Sequence, residues 1–186
     1  MNKKIILGLV GIVVLGALAF VIVNIMKPSA GDTSQSNTTE SSQTLVAVQA
    51  CDLLTDAEAM QILGAAASGD NESNAATTDD ITVDSCGYTN NAGTVAEIRS
   101  IGLMVRSATT KDGLESNKEA FAEGGAAHPT SAVAVTGYGE QAYWDPATYQ
   151  LAILKDNLWI GIVYGGTNPT DNTLEDAKSV ADLVLN

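Results

Sequence analysis

The apolar positions of this chain fall into three regimes. Residues 5–26 read "IILGLVGIVVLGALAFVIVNIM", apolar or glycine everywhere except Asn24. At 1.5 Å per residue a helix of that length reaches roughly 33 Å, enough to cross a bilayer core of about 30 Å. Residues 28–46, "PSAGDTSQSNTTESSQTLV", reverse the pattern: Ser, Thr, Gln and Asn dominate, so the segment cannot build a core and reads as a flexible stalk. From 47 onward apolar residues recur with helix and strand periods. That length, about 140 residues, suits one domain with one core.

Within 47–186 the first helix is set by Thr55-Asp-Ala-Glu58, a capping box, and stops at Gly64. The small, polar residues 65–80 predict a surface loop. Strand signals run over 81–88, and 89–94 is a turn. Residues 95–106 predict a longer strand, whose apolar parity shifts between Ile98 and Ile101 and so implies a bulge near Ser100 or Gly102. A helix fits 114–123, with Ser116 and Glu119 as an internal capping pair. The segments "AVAV", "EQAYW", "YQLAILK" and "LWIGIVYG" follow with short turns between them, which means an antiparallel meander. Leu151 and Ile153 share one face with Ile160, Ile162 and Tyr164, whereas Trp159 has the opposite parity. A last helix covers 173–185, capped by Asn172 and Glu175. The expected fold is α+β: an antiparallel meander sheet with about three helices mainly on one face.

Charge then places the parts. Lys3 and Lys4 precede the apolar stretch, so the rule of positive residues inside puts residues 1–4 in the cytoplasm and 27–186 outside. Ala17-Leu-Ala19 resembles a signal-peptide cleavage site, but the apolar run continues far past it, and an uncleaved single span in the cell membrane is the expectation. Residues 28–186 hold all 22 Asp and Glu against six Lys and Arg, a net charge of −16. Such a surface repels phosphate backbones and anionic head groups, which argues against nucleic acid as a partner.

Cys51 and Cys86 are the two cysteines. A lipid anchor needs a cysteine directly behind the apolar run, and Cys51 lies 25 residues past Met26. A structural metal site needs about four ligands, and His128 is the one histidine available, in a turn-like stretch. Two cysteines outside the cytoplasm are expected to pair as a disulfide. The motifs "CDLLTDAEAMQILG", "DSCGYT" and "GYGEQAYW" resemble a family of secreted bacterial lipoproteins of unknown function, over about 50–165. The resemblance implies the same Cys51–Cys86 disulfide. The meander with its terminal helix also resembles the PsbP/Mog1-like α+β fold. Neither resemblance implies a reaction.

The chain carries fragments of catalytic and cofactor motifs. Gly137-Tyr-Gly139 lacks the third glycine of a dinucleotide loop. The loop from Asp70, Glu72 and Asn74 opens like a calcium site but has Ala75 where glycine is needed and Ile81 where the bidentate Glu belongs. Glu140 and Asp145 flank Tyr143 and Trp144, a pairing a carboxylate-dependent hydrolase could use. Asn37 and Asn71 fit the glycosylation acceptor pattern. Both tryptophans and four of the five tyrosines fall in 138–164. Tyr143, Trp144 and Trp159 are therefore the candidate binding residues, with a second small core as the alternative for Trp159. The sequence thus predicts a membrane-anchored, outward-facing, non-enzymatic interaction domain without cofactor or metal, its partner an envelope protein or glycan. The rival readings are the hydrolase and a carrier of an apolar ligand between sheet and helices.

Overall fold

A computed structural model describes residues 45–64, 67–70, 76–90, 94–127 and 131–186, with backbone alone at 67–70, 123–127 and 169. The apolar stretch 5–26, nearly all of the stalk, His128, Glu72, Asn74, and the acceptor positions Asn37 and Asn71 lie outside the described residues.

The elements are α1 (Ala50–Leu53), α2 (Asp56–Leu63), β1 (Ala67–Asp70), β2 (Ala76–Thr77), β3 (Ile81–Asn90), β4 (Arg99–Ala108), α3 (Lys111–Ala127), β5 (Val133–Ala134), β6 (Gln141–Asp145), β7 (Gln150–Lys155), β8 (Leu158–Gly166) and α4 (Leu174–Val184). The strands form one antiparallel sheet in the order β1-β3-β4-β8-β7-β6-β5. The short β2 also pairs with β3, at Val83 and Thr82. The fold is therefore α+β, as the residue pattern predicts.

Local chemistry fixes the ends of these elements. The Thr55 side chain accepts from the Glu58 amide at 3.3 Å, and the Glu58 carboxylate accepts from the Thr55 amide at 2.8 Å. Gly64 ends α2 with φ 94°, a left-handed conformation that costs glycine little. Asp156 takes φ 53° in the two-residue turn that folds β8 back on β7, where positive φ matches the twist of the strands.

The main core lies on one face of the sheet. Ile101, Leu103, Val105, Leu151, Ile153, Ile160 and Ile162 are each at most 2% exposed. Their parity follows from the period of two along each strand. Leu54, Ala59 and Leu63 from α1–α2 and Ala177, Val180, Ala181 and Val184 from α4 pack onto them. Asp84 is buried under α1 and accepts from the Ala50 amide at 2.7 Å. Cys51 and Cys86 form a disulfide with Cα atoms 5.3 Å apart, tying α1 to β3.

Four details depart from the residue pattern. The parity shift before Ile101 is not a bulge, because β3 and β4 pair without a skip from Thr89↔Ser100 to Ile81↔Ala108. A 3-10 turn over Val95–Glu97 ends just before the strand and takes Val95 and Ile98 out of the ladder's register. The stretch read as a loop after Gly64 contains the short edge strands β1 and β2. Helix α3 starts earlier than expected, where the Thr110 hydroxyl accepts from the Gly113 amide, and Ser116 sits inside the helix, accepting from Arg106 at 2.9 Å. The cap of α4 is Thr173, whose hydroxyl accepts from the Asp176 amide, while Asn172 accepts from the Gly166 amide instead.

Candidate functional site

Helices α1, α2 and α4 cover one face of the sheet, and α3 lies on the other. The second face is built from rows of residues set by the ladder. Nearest α3 runs Val83–Arg106–Trp159–Leu154–Gln141. Next comes Ser85–Met104–Gly161–Ala152–Tyr143, and then Asp70–Gly87–Gly102–Val163–Gln150–Asp145.

The first row is sealed. Phe121 of α3 packs on Trp159 and Leu154 as a second small core, with Met104, Tyr143 and Ala152 at its border. The Phe121 and Trp159 rings meet edge-on with centroids 5.7 Å apart. The Arg106 guanidinium lies over the Trp159 ring, 5.8 Å from its centroid. It donates from Nε to Asn117 Oδ1 at 2.7 Å, and burial lowers its pKa. Asn117 is fully buried and returns two bonds, to the carbonyls of Arg106 and Asn157. Trp159, 7% exposed, therefore belongs to the second small core rather than to a surface platform.

The third row is open. Val163 is 38% exposed, and Gly87, Gly102 and Gln150 are half-buried. A Cβ built on Gly102 would meet only the Val163 Cβ at 3.8 Å, and one on Gly87 only the Ile101 carbonyl at 4.0 Å. Packing therefore does not require glycine at either position. Glycine inside a strand costs about 0.5–1 kcal/mol relative to alanine and often marks a place where a ligand or another backbone approaches. Gly161 in the second row differs, since its Cβ would run into Gln150 Nε2 at 2.8 Å. The second row contains no Asp, Glu, Lys or Arg, and the third has its carboxylates at its two ends, Asp70 and the buried Asp145, so the stretch from Gly87 to Gln150 is uncharged on a domain that is otherwise strongly acidic.

The candidates from the sequence separate on this frame. Tyr143 lies on the second face at the border between the sealed and open rows, half-buried, its ring 5.7 Å from Phe121. Trp144, one residue on, points the other way into the main core and is 7% exposed. The carboxylates Glu140 and Asp145 are occupied by turns. Glu140 accepts from the Asp156 amide at 3.1 Å, and Asp145 accepts from the Ala147 amide at 2.9 Å and the Thr148 hydroxyl at 3.0 Å. The space between sheet and helices, where an apolar ligand was weighed, is filled by the main core. A separate open depression beside the disulfide is lined by Cys51, Asp52, Asp56 and Tyr88. Tyr88 is buried there and donates to the Leu54 carbonyl. Burial, with Asp56 and Glu58 adding to it, raises its pKa.

Reading the sequence alone misses Gly87, Gly102, Val163 and Gln150. The available signal is glycine in mid-strand at Gly87 and Gly102. In comparison with known proteins, no protein-family model matches this chain, and neither does any curated protein or solved structure.

Proposed function

We propose that the chain is a membrane-anchored, outward-facing interaction module without enzymatic activity, and that it recognises an uncharged envelope partner through the open rows of the second sheet face. The observation that carries this reading is the Gly87–Gly102 pair. Two cross-strand glycines that packing does not demand leave a flat floor beside Val163, Gln150 and Tyr143. A floor that is uncharged from Gly87 to Gln150, in a domain (47–186) of net charge −14, favours an uncharged glycan or peptide surface over an anionic polymer. The tyrosine ring offers an apolar contact, and the Gln150 amide and Ser85 hydroxyl offer hydrogen bonds. The apolar stretch 5–26 and its flanking lysines support the anchor and its orientation. The disulfide agrees with an oxidising compartment.

The test fills the floor without charge. Gly102→Gln in a fragment beginning at Ser41, the start of the compact unit, keeps its melting temperature within a few degrees. It loses at least tenfold in cosedimentation with isolated envelopes that bind the unmodified fragment saturably. Undiminished binding by a folded Gly102→Gln fragment refutes this surface.

A further inference from the structure

The two edges of the sheet are not alike. The β1/β2 edge is broken into two short pieces, ends in Asp70, and is followed by Asp79 and Asp80. Charge and interruption are the usual means by which proteins keep a strand edge from pairing with another chain. The β5 edge is also short, at two residues, but it lacks the charge. Residues 129–139, "PTSAVAVTGYG", carry no Asp, Glu, Lys or Arg. Strand β5 is the last in the sheet order on its side, Val133 is 56% exposed, and Ala134 is exposed as well.

The backbone on this edge has a defined polarity. The Val135 amide donates inward to the Ala142 carbonyl at 2.9 Å. Backbone groups alternate sides along an antiparallel strand, so the amide and carbonyl of Ala134 point outward, away from β6. Val133 lies opposite Trp144 and shares its face, that of the main core, and Val135 packs against that core.

We propose that this edge pairs with the same edge of a second copy of the chain, antiparallel, about a twofold axis at Ala134. The pattern is self-complementary. Ala134 faces Ala134 as a hydrogen-bonded pair with two N–H···O bonds, and Ala132 comes opposite Thr136 on either side. Val133 of each copy then lies opposite Val135 of the other, on the core side of both sheets. The exposed valine is covered, and the apolar layer continues from one domain into the next. A twofold interface uses one patch twice, which is why a short uncharged segment suffices to specify it. No carboxylate from residues 129–139 meets its own copy. The net charge of −13 per chain still opposes association at long range, so pairing strengthens as salt shortens the Debye length from about 10 Å at 0.1 M to about 3 Å at 1 M.

The experiment is cysteine crosslinking in the full chain. Both native cysteines are held in the disulfide, so one introduced thiol is the reporter. A hydrogen-bonded antiparallel pair sets Cα atoms about 5.5 Å apart, within the range a disulfide spans. Ala134→Cys should therefore form a disulfide-linked dimer under mild oxidation, more at high salt than at low. Thr136→Cys should not, because its two copies sit four residues out of step, about 13 Å along the strands. Mass spectrometry of the dimer should show the 134–134 crosslink beside an intact Cys51–Cys86 bond. Three results would overturn the proposal: no dimer with Ala134→Cys, equal crosslinking at both positions, or a crosslink from 134 to a different protein.

Discussion

Removing the Trp159 side chain is the sharpest probe of the second small core. The indole is 7% exposed, meets Phe121 edge-on at 5.7 Å and carries the Arg106 guanidinium 5.8 Å from its centroid. It joins α3 to the sheet through Phe121 and Leu154, and none of the described residues of α3 belongs to the main core cluster. Trp159→Ala leaves a cavity under a helix that has few other apolar anchors. Truncation of a buried aromatic costs about 3–5 kcal/mol, against a total stability of about 5–15 kcal/mol for a domain. At about 3–4 °C per kcal/mol for a domain near this size, the melting temperature falls by about 10–20 °C. Thermal unfolding followed by circular dichroism gives the loss, and native-state hydrogen exchange locates it. Amides of Leu114–Ala120 should exchange faster by a larger factor than those of Leu103 and Ile160, which the main core protects. A loss below about 1 kcal/mol, or unchanged exchange in α3, would refute the view that Trp159 holds this helix in place.

Two further perturbations address the other face. Replacing Cys51 and Cys86 together by alanine should lower stability by about 2–4 kcal/mol in denaturant titrations while the circular dichroism spectrum is preserved, since the bridge closes a loop of sequence separation 35 onto an existing core. Tyr88 should resist ionisation. Its folded-state pKa is raised from 10.0, so the stability from its bond to Leu54 is fully present below pH 10.0 and is lost as pH rises through the folded value. The phenolate absorbance of Tyr88, identified by difference from Tyr88→Phe, should appear above pH 10.0 and together with unfolding; a transition below pH 10.0 would contradict the burial argument.

The parts of the fold that were legible in the sequence are those where one local rule acts alone. Thr55 and Glu58 close their capping box whatever the rest of the chain does. The period of two in 149–164 names the core face of β7 and β8 correctly and sets Trp159 opposite it. Where long-range packing decides, the pattern misleads. The parity before Ile101 belongs to a 3-10 turn and not to a bulge, because β3 and β8 hold β4 in register on both sides. β1 and β2 look like loop residues, since edge strands of four and two residues need no apolar period. The aromatic cluster in 138–164 supplies Tyr143, Trp144 and Trp159 as candidate binding residues, but alternation divides them: Trp144 enters the main core with Tyr164, Trp159 goes under α3, and Tyr143 stays half-exposed at the border. The open rows were illegible for a different reason. Their character comes from which strands neighbour one another, and β4 meets β8 only through a crossover carried by α3.

The central claim is that the open rows face outward and are occupied in the cell, and thiol accessibility at Val163 tests both halves at once. Val163→Cys is made in the full chain, with Ala57→Cys on the exposed side of α2 as control, and labelled by a membrane-impermeant maleimide. Both thiols should react readily in purified protein. In intact spheroplasts the control should still react, whereas Val163→Cys should react at least tenfold more slowly because a partner covers it. Equal labelling of the two in spheroplasts would show a bare face, and labelling of neither until lysis would place the domain on the wrong side of the membrane; either result contradicts the account.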